Sequence, residues 1–207
     1  MCRLNFIAPS RVNKPITRAF WYRNMRTEAI AKSAIGNLII KVLGSAMESR
    51  FRYRFFSPAK ILTAVGDLFG KIVLEVGCGT GYFTIPAAGL IGDEGHLVAI
   101  DVLPESVEFV SRKVQSASLK NVSVIKADAL ATGMDAGSFH AVLLFGVIPS
   151  PMLPLNLLLP EMHRILKTDG ILAVWPPIPG WLPGSITESA LFRYSSRLNG
   201  VYNFRRK

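Results

Sequence analysis

From Lys71 onward the apolar residues come in short, nearly unbroken runs, bounded by glycine, proline or charged turns and separated by stretches of helical spacing. The runs over 71–76, 96–100, 122–126, 140–145 and 171–175 are expected to be strands. Helices are expected over 80–90, from 104 to about 117, and over most of 154–167. Ser57-Pro58 pairs a capping oxygen with a residue that needs no N–H in the first turn, so a helix is expected over 58–68. Strands that are apolar on both faces and alternate with helices imply a parallel sheet covered on both sides. At the end, 191–194 and 201–204 flank Asn199-Gly200 and predict an antiparallel pair. The fold class expected is α/β, a three-layer sandwich around a seven-stranded, mostly parallel sheet with a C-terminal antiparallel hairpin. Its ligand site is expected at the carboxyl ends of the strands.

The first 56 residues read differently. Ile35, Leu38, Ile39, Val42 and Ala46 recur at helical spacing between Glu28 and Met47, with Lys32 and Lys41 off that stripe. Half of the 207 residues are hydrophobic, enough for a proper core, and the formal charge is +10. Residues 1–60 hold 12 Lys+Arg against 2 Asp+Glu, and the rest of the chain balances at 12 against 12. The basic excess therefore belongs to an extension, 1–56, attached to a neutral domain, 57–207. Such a helix packs on its own domain or lies on an anionic membrane. Arg50, Arg52 and Arg54 alternate with Phe51, Tyr53 and Phe55, a pattern that suits a lid or a grip on single-stranded nucleic acid. The arm has no acid before Glu28, a bias shared with mitochondrial transit peptides, and Met47 sits where the pattern changes. The 20 uncharged residues from Ala141 to Pro160 contain four prolines and so do not predict a membrane-spanning helix. With only Cys2 and Cys78, and three scattered histidines, neither a disulfide framework nor a metal site is expected, and a reducing, cytoplasmic compartment is the default.

Chemistry concentrates after the first strand, in Glu75-Val76-Gly77-Cys78-Gly79-Thr80-Gly81. A dinucleotide fingerprint would need glycine at 82 or 84, where the chain has Tyr82 and Thr84, and a P-loop would need Gly-Lys-Ser/Thr. A nicotinamide oxidoreductase is disfavoured on that ground. A G-x-G-x-G loop two residues after an acid suits a ligand that lacks a pyrophosphate and carries a positive end. Asp101 closes the second strand, where a carboxylate accepts ribose hydroxyls. Asp128 comes after the third, where one accepts from an exocyclic adenine amine. The three acids outline an adenosine with a cationic tail.

Here the sequence resembles the class I S-adenosylmethionine-dependent methyltransferases, across roughly 57–175. The likeness runs through VLEVGCGTGYFTIPAA, VAIDVLPESVEFVSRK, VIKADALATG, FHAVLLFGVIPS and EMHRILKTDGILAVWPP. It implies a Rossmann-like domain binding S-adenosylmethionine. Glu75, Gly77, Cys78, Gly79 and Gly81 would face the methionine part, Asp101 and Val102 the ribose, and Asp128 and Ala129 the adenine. Phe145 and Gly146 would border the methyl group. Cys78 by itself reads as a small buried residue.

Methyl transfer from a sulfonium is an in-line displacement, so the main work is aligning the acceptor and excluding water. No catalytic residue is singled out: His96 and His140 begin strands at the end opposite the ligand, His163 lies on a flanking helix, and a base on the arm, such as Tyr53, stays open. Base and amide N-methylating relatives resemble one another in an Asn/Asp-Pro-Pro-Tyr motif that FGVIPSP replaces here. Eight of 13 prolines fall between Pro149 and Pro183, among Met152, Leu153, Trp175, Ile178, Trp181 and Leu182, with no charge from Ile171 to Thr187. Stiff apolar loops at a pocket mouth favour a neutral or lipophilic acceptor, quinone-like or isoprenoid, unless they merely pack over the sheet. A binding module acting through the basic arm on RNA or an anionic membrane, or an RNA or protein methyltransferase, is the alternative.

Overall fold

A computed structural model describes residues 57–177 and 183–207. The helix expected near Glu28–Met47, the Arg/aromatic run and Ile178, Trp181 and Leu182 lie outside them. Ser57 caps helix α1 (Pro58–Leu62), its hydroxyl accepting from Lys60 N. Next come β1 (Ile72–Val76), α2 (Thr84–Ile91), β2 (His96–Asp101), α3 (Pro104–Ser116), β3 (Val122–Lys126) and β4 (Phe139–Phe145). The chain ends with α4 (Leu155–Ile165), β5 (Leu166–Trp175), α5 (Gly184–Glu188), β6 (Phe192–Leu198) and β7 (Val201–Arg206).

One seven-stranded sheet runs in the order β3-β2-β1-β4-β5-β7-β6. The first five strands are parallel, and β7 lies antiparallel between β5 and β6. Consecutive strand residues face opposite ways, which separates two apolar layers. Leu74, Val98, Val142, Leu144 and Leu172 pack with α4 and α5 through Leu158, Met162 and Ile186. Val73, Leu97, Ala141, Leu143 and Ala173 pack with α1 and α2 through Ile61, Leu62, Ala87 and Ile91. Ala99, on the same side, meets α3 at Val110 and Val114. The polar group buried beside α2 is also partnered: the Asn121 amide donates to Ala88 O and Gly92 O, both at 2.9 Å, and closes that helix.

Element bounds differ from the sequence expectation at the hairpin, where β6 runs on to Leu198, and at three further elements. Helix α1 ends at Leu62 and tightens into a single 3-10 turn, Thr63–Val65, after which Gly66 stands at φ +114°. The hairpin packs on this end: Asn199 Nδ2 donates to Lys60 O at 2.8 Å, which Thr63 Oγ1 also reaches at 3.0 Å, and Asn203 Nδ2 donates to Ala64 O at 2.7 Å. Helix α2 starts at Thr84, because Gly81 at φ +78° is incompatible with a helical turn. Strand β5 begins at Leu166, which is fully buried and pairs with Phe139 before an irregularity in register. Among the described residues no helix is long and apolar enough to cross a membrane.

Candidate functional site

The strand order reverses between β1, with β2 on one side, and β4 on the other, and at such a switch point the loops leave a crevice beyond the carboxyl ends. The loop 77–81 lies here. It is held from β2: Gly77 N and Cys78 N both donate to Ile100 O, at 2.8 and 3.0 Å. Gly79 N donates to Asp101 Oδ2 at 3.0 Å and Gly81 N to Cys78 O at 2.8 Å. From behind, Lys113 of α3 donates to Thr80 O at 3.0 Å. Gly77 at φ +74° requires glycine twice over, since a Cβ there would also stand 2.5 Å from Val147 Cγ1.

Two acids are buried beside this loop. Glu75 is 3% exposed and Asp101 9%. The Thr84 hydroxyl donates to Glu75 Oε2 at 2.6 Å. Burial, only partly opposed by that bond and reinforced by Asp101, pushes the Glu75 carboxyl up to about 8. Asp101 is also raised by burial, against the amides of Leu103, Gly79 and Val102, which favour its charge. Leu103 N donates to Oδ1 at 3.0 Å, so both oxygens of Asp101 are held by backbone amides. No described Lys, Arg or His forms an ion pair with either carboxylate. An acid pair of this kind can accept from hydroxyls and attract a cation.

The other residues expected at the site divide. Asp128 lies just past β3, its Oδ1 accepting from Leu130 N at 2.9 Å in an Asx turn, with Ala129 buried behind it. Val102 is half-buried next to Asp101. Cys78 is buried, and burial, with Asp101 and Glu75 nearby, raises its thiol well above the usual range, so it is a neutral packing group. The Phe145 ring lies in the core edge-to-face on Phe83, 5.0 Å between centroids, and it is the backbone reversal at Gly146, φ +75°, that borders the crevice. Trp175, expected at the rim, packs on Phe83 at 5.8 Å. On the loop after β4, Met152 is half exposed and Leu153 packs on the core.

Three participants were not legible in sequence. Thr84 and Lys113 act only through contacts across elements. Thr80 sits inside the glycine loop, and its hydroxyl is buried without a hydrogen-bond partner among the described residues, a group that a polar atom of a ligand would satisfy. A hydroxyl between two glycines of such a loop was the available signal. The histidines lie where expected. His96 bonds Ser123 Oγ at 2.8 Å, His140 Nδ1 accepts from Ile72 N at 2.9 Å at the amino end of the sheet, and His163 lies beside Lys207 O and the Phe192 ring.

Comparison with known proteins agrees with this geometry. The family model described as a methyltransferase domain matches residues 73–170, from β1 into β5. Demethylmenaquinone methyltransferase of Listeria welshimeri is 36% identical over 140 residues, 64% of this chain and 56% of that protein. Aklanonic acid methyltransferase DauC of Streptomyces sp. is 31% identical over 101 residues, 48% of this chain and 46% of that one. The chain thus spans about half the length of the curated relatives it matches. A crystal structure of a SAM-dependent methyltransferase from Aquifex aeolicus superimposes with a TM-score of 0.67 at 25% identity, covering 80% of this chain and 96% of that one. Glycine loop, strand order and sequence likeness converge: residues 73–170 match a methyltransferase domain, and the fold is that of an S-adenosylmethionine-dependent methyltransferase.

Proposed function

We propose that this protein transfers a methyl group from S-adenosylmethionine to a small, neutral or lipophilic acceptor of the hydroxyquinone or hydroxyaromatic type. The observation that carries the cofactor half is the buried pair Glu75 and Asp101, set at the ends of adjacent strands around a glycine loop, with no cation of the described chain to neutralise it. The donor set fits the group. Glu75 would take the ammonium end, and the backbone of 77–81 with the orphaned Thr80 hydroxyl would take the adjoining carboxylate. Asp101 with Val102 would hold the ribose, and Asp128 with Ala129 the adenine edge. Gly146, where a side chain would meet nothing within 4 Å, would leave room beside the reacting carbon.

Bound there, the cofactor would supply a methyl group on a sulfonium that leaves as a neutral thioether, and the acceptor hydroxyl would give up its proton to solvent. The protein's part is alignment and dryness: strand ends would hold one reactant rigidly, while Met152 and the uncharged loop after β4 would offer an apolar wall for the other. The acceptor class is supported by the absence of charge from Ala141 to Pro160 and from Ile171 to Thr187. It is also supported by the compounds for which the two relatives are named, demethylmenaquinone and aklanonic acid. Calorimetric titration with S-adenosylhomocysteine, with NAD as control, tests the first half, and labelled methyl transfer to a panel of hydroxyquinones and hydroxyaromatic acids the second. Micromolar binding of the homocysteine compound alone is expected. Equal binding of NAD, or of neither, would overturn the reading.

A further inference from the structure

We propose that Thr84 is a positioning residue for the cofactor site: its hydroxyl orients the Glu75 carboxyl toward the ligand's cationic end and eases its ionisation when that end arrives. The inference rests on the reading above. Thr84 is fully buried at the first position of α2, directly after the loop that must turn around the ligand. A helical threonine commonly returns its hydroxyl to a carbonyl one turn earlier, whereas here the single hydroxyl hydrogen goes across to β1, to Glu75 Oε2 at 2.6 Å.

That short bond settles which oxygen is engaged. With Oε2 held by Thr84, Oε1 is the oxygen left for a ligand. An O–H donor also favours the ionised carboxylate over the neutral acid, and everything else near Glu75 works against the charge. The titratable groups acting on it are Asp101 from β2 and Cys78 from the loop, both acids, while its register neighbours Ala99 and Leu143 are apolar. Thr84 is therefore the described side chain that favours the charge before a ligand arrives. A residue needed only to fill space would be replaced by valine without loss, since the two side chains have nearly the same shape.

The test compares wild type, Thr84→Val and Thr84→Ser by calorimetric titration with S-adenosylhomocysteine between pH 6 and 8.5, together with thermal melting of the unliganded proteins. Thr84→Val is expected to bind about tenfold more weakly near pH 7, the scale of one charge-assisted hydrogen bond, and to recover as pH rises. Thr84→Ser, which keeps the hydroxyl, is expected to stay within about twofold of wild type. Thr84→Val binding like wild type, or weakened equally at every pH, overturns the proposal, as does a serine variant no better than valine. Should the valine variant not fold, Thr84→Ala takes its place with the same outcomes. If wild type binds no S-adenosylhomocysteine, the cofactor reading fails, and melting then decides for Thr84 separately. Without the hydroxyl, the alkaline loss of stability caused by Glu75 must extend to higher pH than in wild type; an unchanged profile overturns the role.

Discussion

Gly77 and Gly146 flank the crevice with nearly the same backbone angle, φ +74° and +75°, yet their surroundings differ completely. A Cβ at Gly146 would meet nothing within 4 Å, whereas one at Gly77 would stand 2.5 Å from Val147 Cγ1. Gly146→Ala should therefore register only the left-handed backbone penalty for a residue with a Cβ, about 1–2 kcal/mol. Gly77→Ala bears the same penalty and must also drive Val147 off its rotamer, roughly a further 0.5–1.5 kcal/mol, with some loss of its packing on the core. Urea denaturation at 25 °C should place the two variants about 1 kcal/mol apart, Gly77→Ala the weaker. Val147→Ala removes the obstructing methyl, so in that background Gly77→Ala should cost no more than Gly146→Ala does. The double-mutant cycle then shows a favourable coupling of about 1 kcal/mol. Equal costs for the two glycine variants, or strict additivity with Val147→Ala, would refute the close approach as the reason for glycine at 77.

The acids and the histidines set the other expected outcomes. Because the folded carboxyl of Glu75 titrates near 8 against an ordinary 4.5, the folded state holds the proton longer, and stability falls as pH rises through that window. Glu75→Gln should flatten that fall in melting curves, so the variant melts higher than wild type at pH 8 while binding S-adenosylhomocysteine more weakly; a variant with both properties lowered would contradict the assignment. Asp101→Asn replaces one accepting oxygen by a donor facing an amide, and should lose about 1.5–3 kcal/mol of binding, read by calorimetry. Unchanged affinity would put the ribose elsewhere. His163→Ala should leave turnover within about twofold, since its partners are Lys207 O, Arg206 and Phe192, away from the loop; a large loss of rate would give that helix a role in the chemistry.

Much of the architecture was readable because its signals are local. Strand β3 was expected over 122–126 and occurs there, and Asn199-Gly200 marked the closing hairpin. Asp101 and Glu75 stood out because a parallel sheet delivers every strand end to the same side, so spacing along the chain becomes proximity at the crevice. Tertiary structure decided what depends on another element. Helix α1 stops at Leu62, and carbonyls at and just past its end are met from far along the chain: Asn199 and Asn203, each 139 residues beyond the carbonyl it bonds, donate to Lys60 O and Ala64 O. Phe145 turns its ring into the core because Phe83 is there to receive it. Likewise, nothing in the glycine motif announces that Lys113 braces Thr80, that Val147 crowds Gly77, or that Thr84 holds Glu75. Hydrophobic period and backbone preference are written residue by residue, whereas a hydrogen bond or steric contact between distant segments exists only once the sheet has brought them together.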